Sequence, residues 1–371
     1  MRKTTATAAA ALALAGLVTA AGPAGAAGCT PELRTLDALS TAGPTRSGTV
    51  HGLGRGDLAV GTSNGLPVYW TGTAAHAVPL PDGWTGGTVG SVSDNGTMVG
   101  TLTRDVDTTA AFSYRPGDAQ VRLLTGPTRS GATAAISSTG RVVTSENGVA
   151  KEWANGSVVR ELPAPADAYP NSRLSVSSVN KRGDVLGNLY SEFWNQETDE
   201  IILRFHPVVW PAGGYPAYSL RAWNQEAQMH STIGSAIDNR GRVVGHEWTA
   251  WRELQHLRPA TWKQPYDALP TEPGRLAGEE DLSLDATSPT SGAAVGAAVS
   301  FEEGWRKSSQ PAYWPGKGPV LALPGGSGPR RGSAHAVTDD DRVGGSVLDE
   351  NGLGRATVWT CASKQAFLPG A

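Results

Sequence analysis

One sequence unit recurs seven times and constrains the fold more than any other feature of the chain. Its clearest copy begins at Ser235 with an apolar run and continues through a polar turn that ends in Gly241. A Val-Val-Gly run and a Trp-containing run follow, and the copy ends at Pro270. The turn position returns at intervals of about 40 to 58 residues, a spacing typical of solenoids and propellers. The residues at that position are Gly56, Gly96, Gly140, Gly183, Gly241, Gly292 and Asp341.

An aromatic residue follows each turn, and a leucine that is usually followed by proline comes after it. The aromatic positions are Trp70, Tyr114, Trp153, Trp210, Trp262, Trp314 and Trp359. Each unit therefore contains four short apolar runs, and none of them has the 3.6-residue period of an amphipathic helix. Four strands repeated seven times predict an all-β, seven-bladed β-propeller. In that fold the regular aromatic residues fill the space between neighbouring blades.

The periodicity divides the chain into a targeting segment and one domain. A positive n-region, an apolar stretch and small residues before Ala27 indicate a Sec-type signal peptide over residues 1–26. We therefore expect a secreted protein whose residues 27–371 form a single propeller. Its blades are expected at about 49–83, 90–126, 132–163, 175–220, 233–270, 283–324 and 333–371, with a spare strand within 30–40 that pairs with the last blade.

Two cysteines, Cys29 and Cys361, stand near opposite ends of this domain. In an exported protein an even cysteine count favours a disulfide. A bridge between them would lock the ring where the first and last blades meet. The alternative is lipoprotein anchoring, because Ala-Ala-Gly before Cys29 is similar to the end of a lipoprotein signal. Both interpretations stay open at this point.

Composition excludes several classes of function. The net charge is -3 and the pI is about 6.2, without the clustered Lys and Arg of a nucleic-acid-binding protein. No apolar run after the signal peptide is long enough to predict a transmembrane segment. Phosphate-loop, nucleophile-elbow and His-Glu-x-x-His motifs do not occur, so no cofactor and no metal are predicted. The run from Asp339 to Asp341 occupies a turn position and favours a solvated turn over a calcium loop. A monomer is expected.

The unit resembles the HAF repeats of exported bacterial proteins. Those repeats combine an aliphatic-Asn-x-x-Gly-x-Val-Val-Gly run with an Ala-Phe-x-Trp run. The closest matches here run from Ile237 to Gly245 and from Ala111 to Tyr114, although the His-Ala-Phe tripeptide itself is absent. The resemblance covers nearly the whole mature chain and implies an exported, propeller-like protein. It supplies no catalytic residues.

Three segments interrupt the repeat between the Val-Val-Gly run and the Trp run. They are 188–206, 246–258 and 300–310, in units four, five and six, and we predict long loops there. Aromatic and charged residues beyond the needs of a framework mark candidate binding surfaces. The predicted ligand-binding residues are Glu192, Trp194, His246, Glu247, Trp248, Trp251, Glu302, Trp305 and Arg306.

Tryptophan beside carboxylates and arginine suits recognition of a glycan or a protein. The favoured hypothesis is therefore a secreted binding protein that uses these loops to recognise an extracellular ligand. One alternative is a secreted hydrolase or lyase in which Glu and His residues of the same face act as acid and base. Another is a structural envelope protein in which the long hairpins cover one another and the tryptophans only hold them together.

Overall fold

The computed structural model describes residues 29–40, 47–129, 131–168, 172–195, 200–214, 216–223, 230–251, 254–302, 305–326, 328 and 330–369. Nearly all regular structure in this part is β-strand, and its helix is a single turn, α1 (Ala362–Gln365). The prediction of an all-β chain is therefore confirmed.

The first thirteen strands are β1 (Glu32–Thr35), β2 (Gly48–Leu53), β3 (Leu58–Ser63), β4 (Leu66–Thr71), β5 (Ala74–Ala77), β6 (Gly86–Val92), β7 (Met98–Thr103), β8 (Thr109–Tyr114), β9 (Arg122–Leu123), β10 (Thr133–Ile136), β11 (Val142–Glu146), β12 (Val149–Ala154) and β13 (Ser157–Leu162). The remaining strands are β14 (Arg173–Val179), β15 (Val185–Asn195), β16 (Glu200–Trp210), β17 (Tyr218–Ser219), β18 (His230–Ile237), β19 (Val243–Trp251), β20 (Leu254–Trp262), β21 (Asp281–Thr287), β22 (Ala294–Glu302), β23 (Trp305–Trp314), β24 (Leu321–Ala322), β25 (Gly332–Val337), β26 (Val343–Leu348) and β27 (Gly354–Thr360).

These strands form seven antiparallel sheets, which are the blades of a β-propeller. Blades 1 to 4 contain β2–β5, β6–β9, β10–β13 and β14–β17, and blade 5 contains β18–β20. Blade 6 contains β21–β24, and blade 7 contains β25, β26, β27 and β1. The first strand of each blade packs against the first strands of both neighbouring blades. These seven inner strands therefore surround a central channel, as the repeat predicts.

Closure of the ring uses both ends of the chain. The N-terminal strand β1 pairs antiparallel with β27 and completes the last blade. A disulfide joins Cys29 to Cys361, whose Cα atoms are 6.0 Å apart. Both predictions are confirmed, and the Sγ atom that lipidation would require is engaged in the disulfide. The turn α1 adds a hydrogen bond between the two ends of the domain, since Gln365 Nε2 donates to the Glu32 carbonyl at 3.0 Å.

The repeat residues have the framework roles that the sequence predicts. The turn glycines have φ between 61° and 94°, and Asp341 takes the same left-handed conformation with φ 63°. Five ring tryptophans are buried, with 0 to 8% exposure. Four of their indole N–H groups donate to a carbonyl just beyond the outer strand of the preceding blade, as in Trp210 to Pro163 and Trp359 to Pro324. In all four cases the acceptor is the residue that follows the leucine of the outer run, whether or not it is proline.

Two strand predictions differ from the structure. Blade 5 has three strands, and its expected outer strand near Leu269 is reduced to a single bridge between Thr261 and Thr271. Prolines in that segment cannot donate to a ladder, which limits pairing. The C-terminal Leu368-Pro369 pair does not form the outer strand of blade 7, because β1 occupies that position. The segment bridges to blade 6 instead, at Ala322 and Phe367.

Candidate functional site

The three predicted long loops are mostly strand. In blades 4 to 6 the second and third strands have 9 to 11 residues, whereas the second strands of blades 1, 2, 3 and 7 have five or six. At about 3.3 Å per residue, the extra residues lengthen each hairpin by roughly 10 to 15 Å. All three segments contain aromatic residues, which favour strands, so the ladder continues into them. We call the ends of these three hairpins the hairpin face.

A polar and aromatic stripe runs along β15 on this face. Tyr190, Glu192 and Trp194 are two residues apart on a strand in continuous register, so they point to the same side. The Tyr190 hydroxyl donates to Glu192 Oε1 at 2.8 Å. Burial and this carboxylate raise the pKa of Tyr190, which keeps the phenol protonated as a donor. Trp194 is 59% exposed, in contrast to the buried ring tryptophans.

The predicted residues of blade 5 lie deeper than the hairpin end. Glu247 is buried, with 4% exposure, and His246 and Trp248 are half-buried. Burial lowers the pKa of His246, whose Nδ1 atom has no hydrogen-bond partner among the described residues. The structure thus places His246 and Glu247 inside the blade, where Glu247 is not exposed to a large ligand.

Glu302 of blade 6 lies on the surface. Its carboxylate is exposed and pairs with Lys307 at 3.2 Å. The side chains of Trp251, Trp305 and Arg306 fall outside the described part of the structure, although their backbones belong to β19 and β23. Of the nine predicted binding residues, Glu192, Trp194 and Glu302 are therefore the ones that the described side chains place at the surface.

The Asp339–Asp341 run has local partners for all three carboxylates. Asp339 accepts backbone N–H groups from Thr290 and Ser291 of the neighbouring blade. Asp340 pairs with Arg342 at 2.9 Å, and Asp341 accepts from Ser363. The Asp339 contacts connect adjacent turns, while Asp341 ties its turn to α1. Within the described residues, no group of three or more His, Cys, Asp or Glu side chains is arranged to hold a metal ion.

A cavity of about 800 Å³ occupies the central channel, at the end where the inner strands turn into the second strands. Residues of all seven blades line it, including inner-strand side chains and the following turns. None of the nine predicted binding residues is among its lining residues. The channel is therefore a second candidate site, separate from the hairpin face.

Six of the inner strands carry a β-bulge at the same place. In each one the register shifts around a single unpaired residue, and all six of these residues line the cavity. They are His51, Gly90, Ser177, Ser235, Asp285 and His335. Bulges leave the extra residue out of the ladder and re-aim its side chain. Blades 6, 7 and 1 thus direct a carboxylate and two imidazoles into the channel, where blades 2, 4 and 5 direct Gly or Ser.

The glycine of the Val-Val-Gly run is the partner of this bulge. A Cβ at Gly345 would overlap the Ser333 carbonyl oxygen and lie 2.8 Å from Ala334 Cα. The equivalent glycines of the other bulged blades meet the same obstruction. Blade 3 has Thr144 at this place, and its inner strand pairs without a register shift. The glycine therefore marks a bulge in the sequence, and the bulge residue lies three positions before the residue that begins each turn, as Ser235 does before Asp238.

The sequence analysis missed His51, Asp285 and His335, which form a connected group. His335 Nδ1 lies 3.2 Å from Asp285 Oδ2, and the rings of His51 and His335 are 5.6 Å apart. Burial and the neighbouring His335 lower the pKa of His51 to about 4, against the opposing effect of Asp285. Burial acts to raise the pKa of Asp285, but the hydrogen bond and charge of His335, together with His246 and a hydrogen bond from Ser283, outweigh it and hold that pKa below its ordinary value.

Solved structures share the fold of this chain. The β-propeller domain of the Trilobed protease from Pyrococcus furiosus is similar over 85% of this chain and 95% of that one, at 9% identity and a TM-score of 0.52. That domain was described as having an open velcro topology, whereas β1 completes blade 7 here. A puromycin hydrolase is similar over 88% of this chain and 54% of that one, at 16% identity and a TM-score of 0.53.

At these identities the likeness shows the propeller fold alone. No protein-family model and no curated protein matches the sequence. Among the described residues, no helix is long and apolar enough to span a membrane.

Proposed function

We propose that this protein is an exported binding protein that recognises an extracellular glycan through its hairpin face. The observation that carries the proposal is the exposed Trp194 at the end of the longest hairpin, in line with Tyr190 and Glu192. Five of the six ring tryptophans, which pack between blades, are buried, and the sixth, Trp153, is half-buried. An exposed indole has no such framework role.

The chemistry of the stripe suits a sugar better than an apolar ligand. An indole face offers a large, rigid surface for the C–H face of a pyranose ring. The neighbouring carboxylate can accept directional hydrogen bonds from sugar hydroxyls, and charge-assisted bonds of this kind are about twice as strong as neutral ones. Glu302 on blade 6 adds a second exposed carboxylate to the same face.

Ligand binding is favoured over Glu/His catalysis on this face. Glycosidic chemistry requires two carboxyl groups within about 5 to 10 Å of one another across a substrate cleft. The blade 5 carboxylate, Glu247, is instead buried inside its blade. Glu192 and Glu302 are engaged by Tyr190 and Lys307 respectively.

A screen of the fluorescently labelled protein against immobilised polysaccharides and peptides tests the proposal. We expect a glycan to bind and Trp194→Ala to weaken its affinity at least tenfold, with the melting temperature unchanged. Tyr218→Ala is the matched control, since Tyr218 is an exposed aromatic residue (44%) on the outer strand of the same blade. Failure of every glycan to bind, or wild-type affinity in Trp194→Ala, would contradict the proposal. Binding of peptides alone would identify a protein ligand instead.

A further inference from the structure

A chain of hydrogen bonds in the channel joins a hydroxyl, an imidazole and a carboxylate. Ser333 Oγ lies 2.7 Å from His335 Nε2, while His335 Nδ1 faces Asp285 Oδ2 at 3.2 Å. An ionised carboxylate can only accept, so Nδ1 carries the ring proton. In the neutral ring, Nε2 is then an acceptor and the Ser333 hydroxyl donates to it. This polarity is the one that a base needs in order to take a proton from a nucleophile.

We propose that Ser333, His335 and Asp285 form a catalytic triad that hydrolyses small carboxylic esters admitted to the central channel. Triads recur on unrelated folds and are recognised by geometry and roles, independently of sequence motifs. Here the nucleophile and its base are within hydrogen-bond reach, and a third group orients the base. This inference rests on the channel alone and is independent of glycan binding at the hairpin face.

The framework does not account for these side chains. The bulge position accepts Gly90, Ser177 or Ser235 in other blades without loss of the ring. Ionisable residues occupy the bulge position only in blades 6, 7 and 1, which are neighbours in the ring. Asp285 and His335 therefore come into contact although they belong to different blades. Both side chains remain about a quarter exposed toward the channel, at 24% and 27%. A substrate in the cavity can therefore contact His335. Ser333 is half-buried and lies next to that ring, just beyond the residues that line the cavity.

The groups around the triad fit its chemistry. Asp285 stays ionised, as its lowered pKa requires. His51 stays neutral near pH 7, since its pKa is about 4, and its ring stands beside that of His335. A neutral imidazole has one N–H group to donate, and we assign that group to the oxygen of the substrate carbonyl. The cavity of about 800 Å³ limits the substrate to a small molecule.

The reaction proceeds in two balanced steps. Ser333 Oγ attacks the ester carbonyl carbon, and its proton moves to His335 Nε2. The bond from carbon to the alcohol oxygen breaks, and the alcohol leaves with that proton, which gives acyl-Ser333. Water then loses a proton to His335 Nε2 and attacks the acyl carbon. The bond to Oγ breaks, Oγ regains the proton, and the carboxylic acid is released. Asp285 positions His335 throughout and does not itself take a proton.

Labelling with a fluorophosphonate probe and hydrolysis of p-nitrophenyl acetate test the proposal on the full chain. We expect one label per molecule, located on Ser333 by peptide mass spectrometry. Ser333→Ala and His335→Gln should abolish labelling and lower kcat/KM at least 100-fold. Ser175→Ala is the matched control, because Ser175 occupies the equivalent inner-strand position in blade 4. That variant should keep wild-type labelling and hydrolysis.

The role of Asp285 has its own readout. Asp285→Asn should lower kcat while KM and the melting temperature stay near wild-type values, because the amide favours the wrong imidazole tautomer. The proposal is overturned if the folded wild-type protein takes up no probe. It is equally overturned if the label maps to another residue, or if Ser333→Ala hydrolyses the ester at the wild-type rate.

Discussion

Gly345→Ala is the sharpest perturbation of the bulge that shapes the channel. The new methyl group would overlap the Ser333 carbonyl oxygen and approach Ala334 Cα to 2.8 Å. Both obstructing groups are backbone, so neither can rotate away as a side chain would. Relief requires β25 to move away from β26, or the bulge at His335 to flatten. Either movement displaces the His335 ring from Asp285.

The size of the effect follows from two opposing contributions. Forcing a methyl group into a packed site costs about 1 to 3 kcal/mol, and rigid backbone neighbours favour the upper end of that range. Replacing Gly in a strand by Ala returns roughly 0.5 to 1 kcal/mol of chain entropy. The net loss in free energy of unfolding is therefore about 2 kcal/mol. With an unfolding entropy of about 2.1 cal/mol/K per residue, the melting temperature of this chain falls by about 3 °C.

Thermal and urea unfolding followed by tryptophan fluorescence measure this loss. Gly126→Ala is the control, because a Cβ there meets no atom within 4 Å and the backbone needs no positive φ. We expect Gly126→Ala to unfold within about 0.5 kcal/mol of wild type. Equal stability of Gly345→Ala and Gly126→Ala would refute the steric link between the glycine and the bulge.

Three further predictions concern the framework and the channel. Cys361→Ser removes a disulfide whose cysteines are 332 residues apart, and the chain-entropy model gives a loss in free energy of unfolding of about 6 kcal/mol. A shift below about 1 kcal/mol in urea unfolding would contradict it. Trp359→Ala leaves a cavity at a fully buried site and removes the hydrogen bond to Pro324. We expect its free energy of unfolding, measured with urea, to fall by about 3 to 5 kcal/mol. The same measurement on Trp194→Ala should show a loss of less than about 0.5 kcal/mol. The pKa of His51 is about 4 in the folded protein, against an ordinary value of 6.5. Between those pH values the unfolded chain binds a proton that the folded protein does not, so the free energy of unfolding falls by up to about 3 kcal/mol as the pH drops from 6.5 to 4. His51→Gln should flatten this part of the pH–stability curve, and an unchanged curve would show that His51 titrates normally.

The framework was predictable because its signals are local and repeated. A turn that needs positive φ, a Trp that bonds to the preceding blade and a spare N-terminal strand each leave a mark at a known spacing. Two local departures from the repeat were not predicted. The outer strand of blade 5 was lost among the prolines around Leu269, and the segment at Leu368 looked like an outer strand although β1 takes that place.

The hairpin face was only partly predictable. Trp194 and Glu192 were assigned correctly to a surface, since composition alone distinguishes an interruption from a repeat. The burial of Glu247 was not predicted, because the point at which a strand extends beyond the packed part of its blade depends on the neighbouring blades. That boundary is a property of packing and leaves no fixed spacing in the sequence.

The channel residues were not identified from the sequence, for a different reason. A bulge breaks the two-residue alternation that identifies strands, so His335 and Asp285 appeared to be ordinary strand residues. The approach of His51 to His335 also depends on ring closure, which brings blades 7 and 1 together across about 280 residues of chain. The Val-Val-Gly glycine was the available signal, since its close approach to the inner strand marks the bulge in six of the seven repeats.

The tautomer of His335 is the most direct test of the Ser333–His335–Asp285 chain. Nitrogen-15 NMR of the imidazole resonances, assigned with His335→Gln, measures it at neutral pH. The geometry predicts a protonated Nδ1 and an accepting Nε2, with the preference lost in Asp285→Asn. A proton on Nε2 in the wild-type protein would show that His335 cannot accept from Ser333, and would contradict the triad.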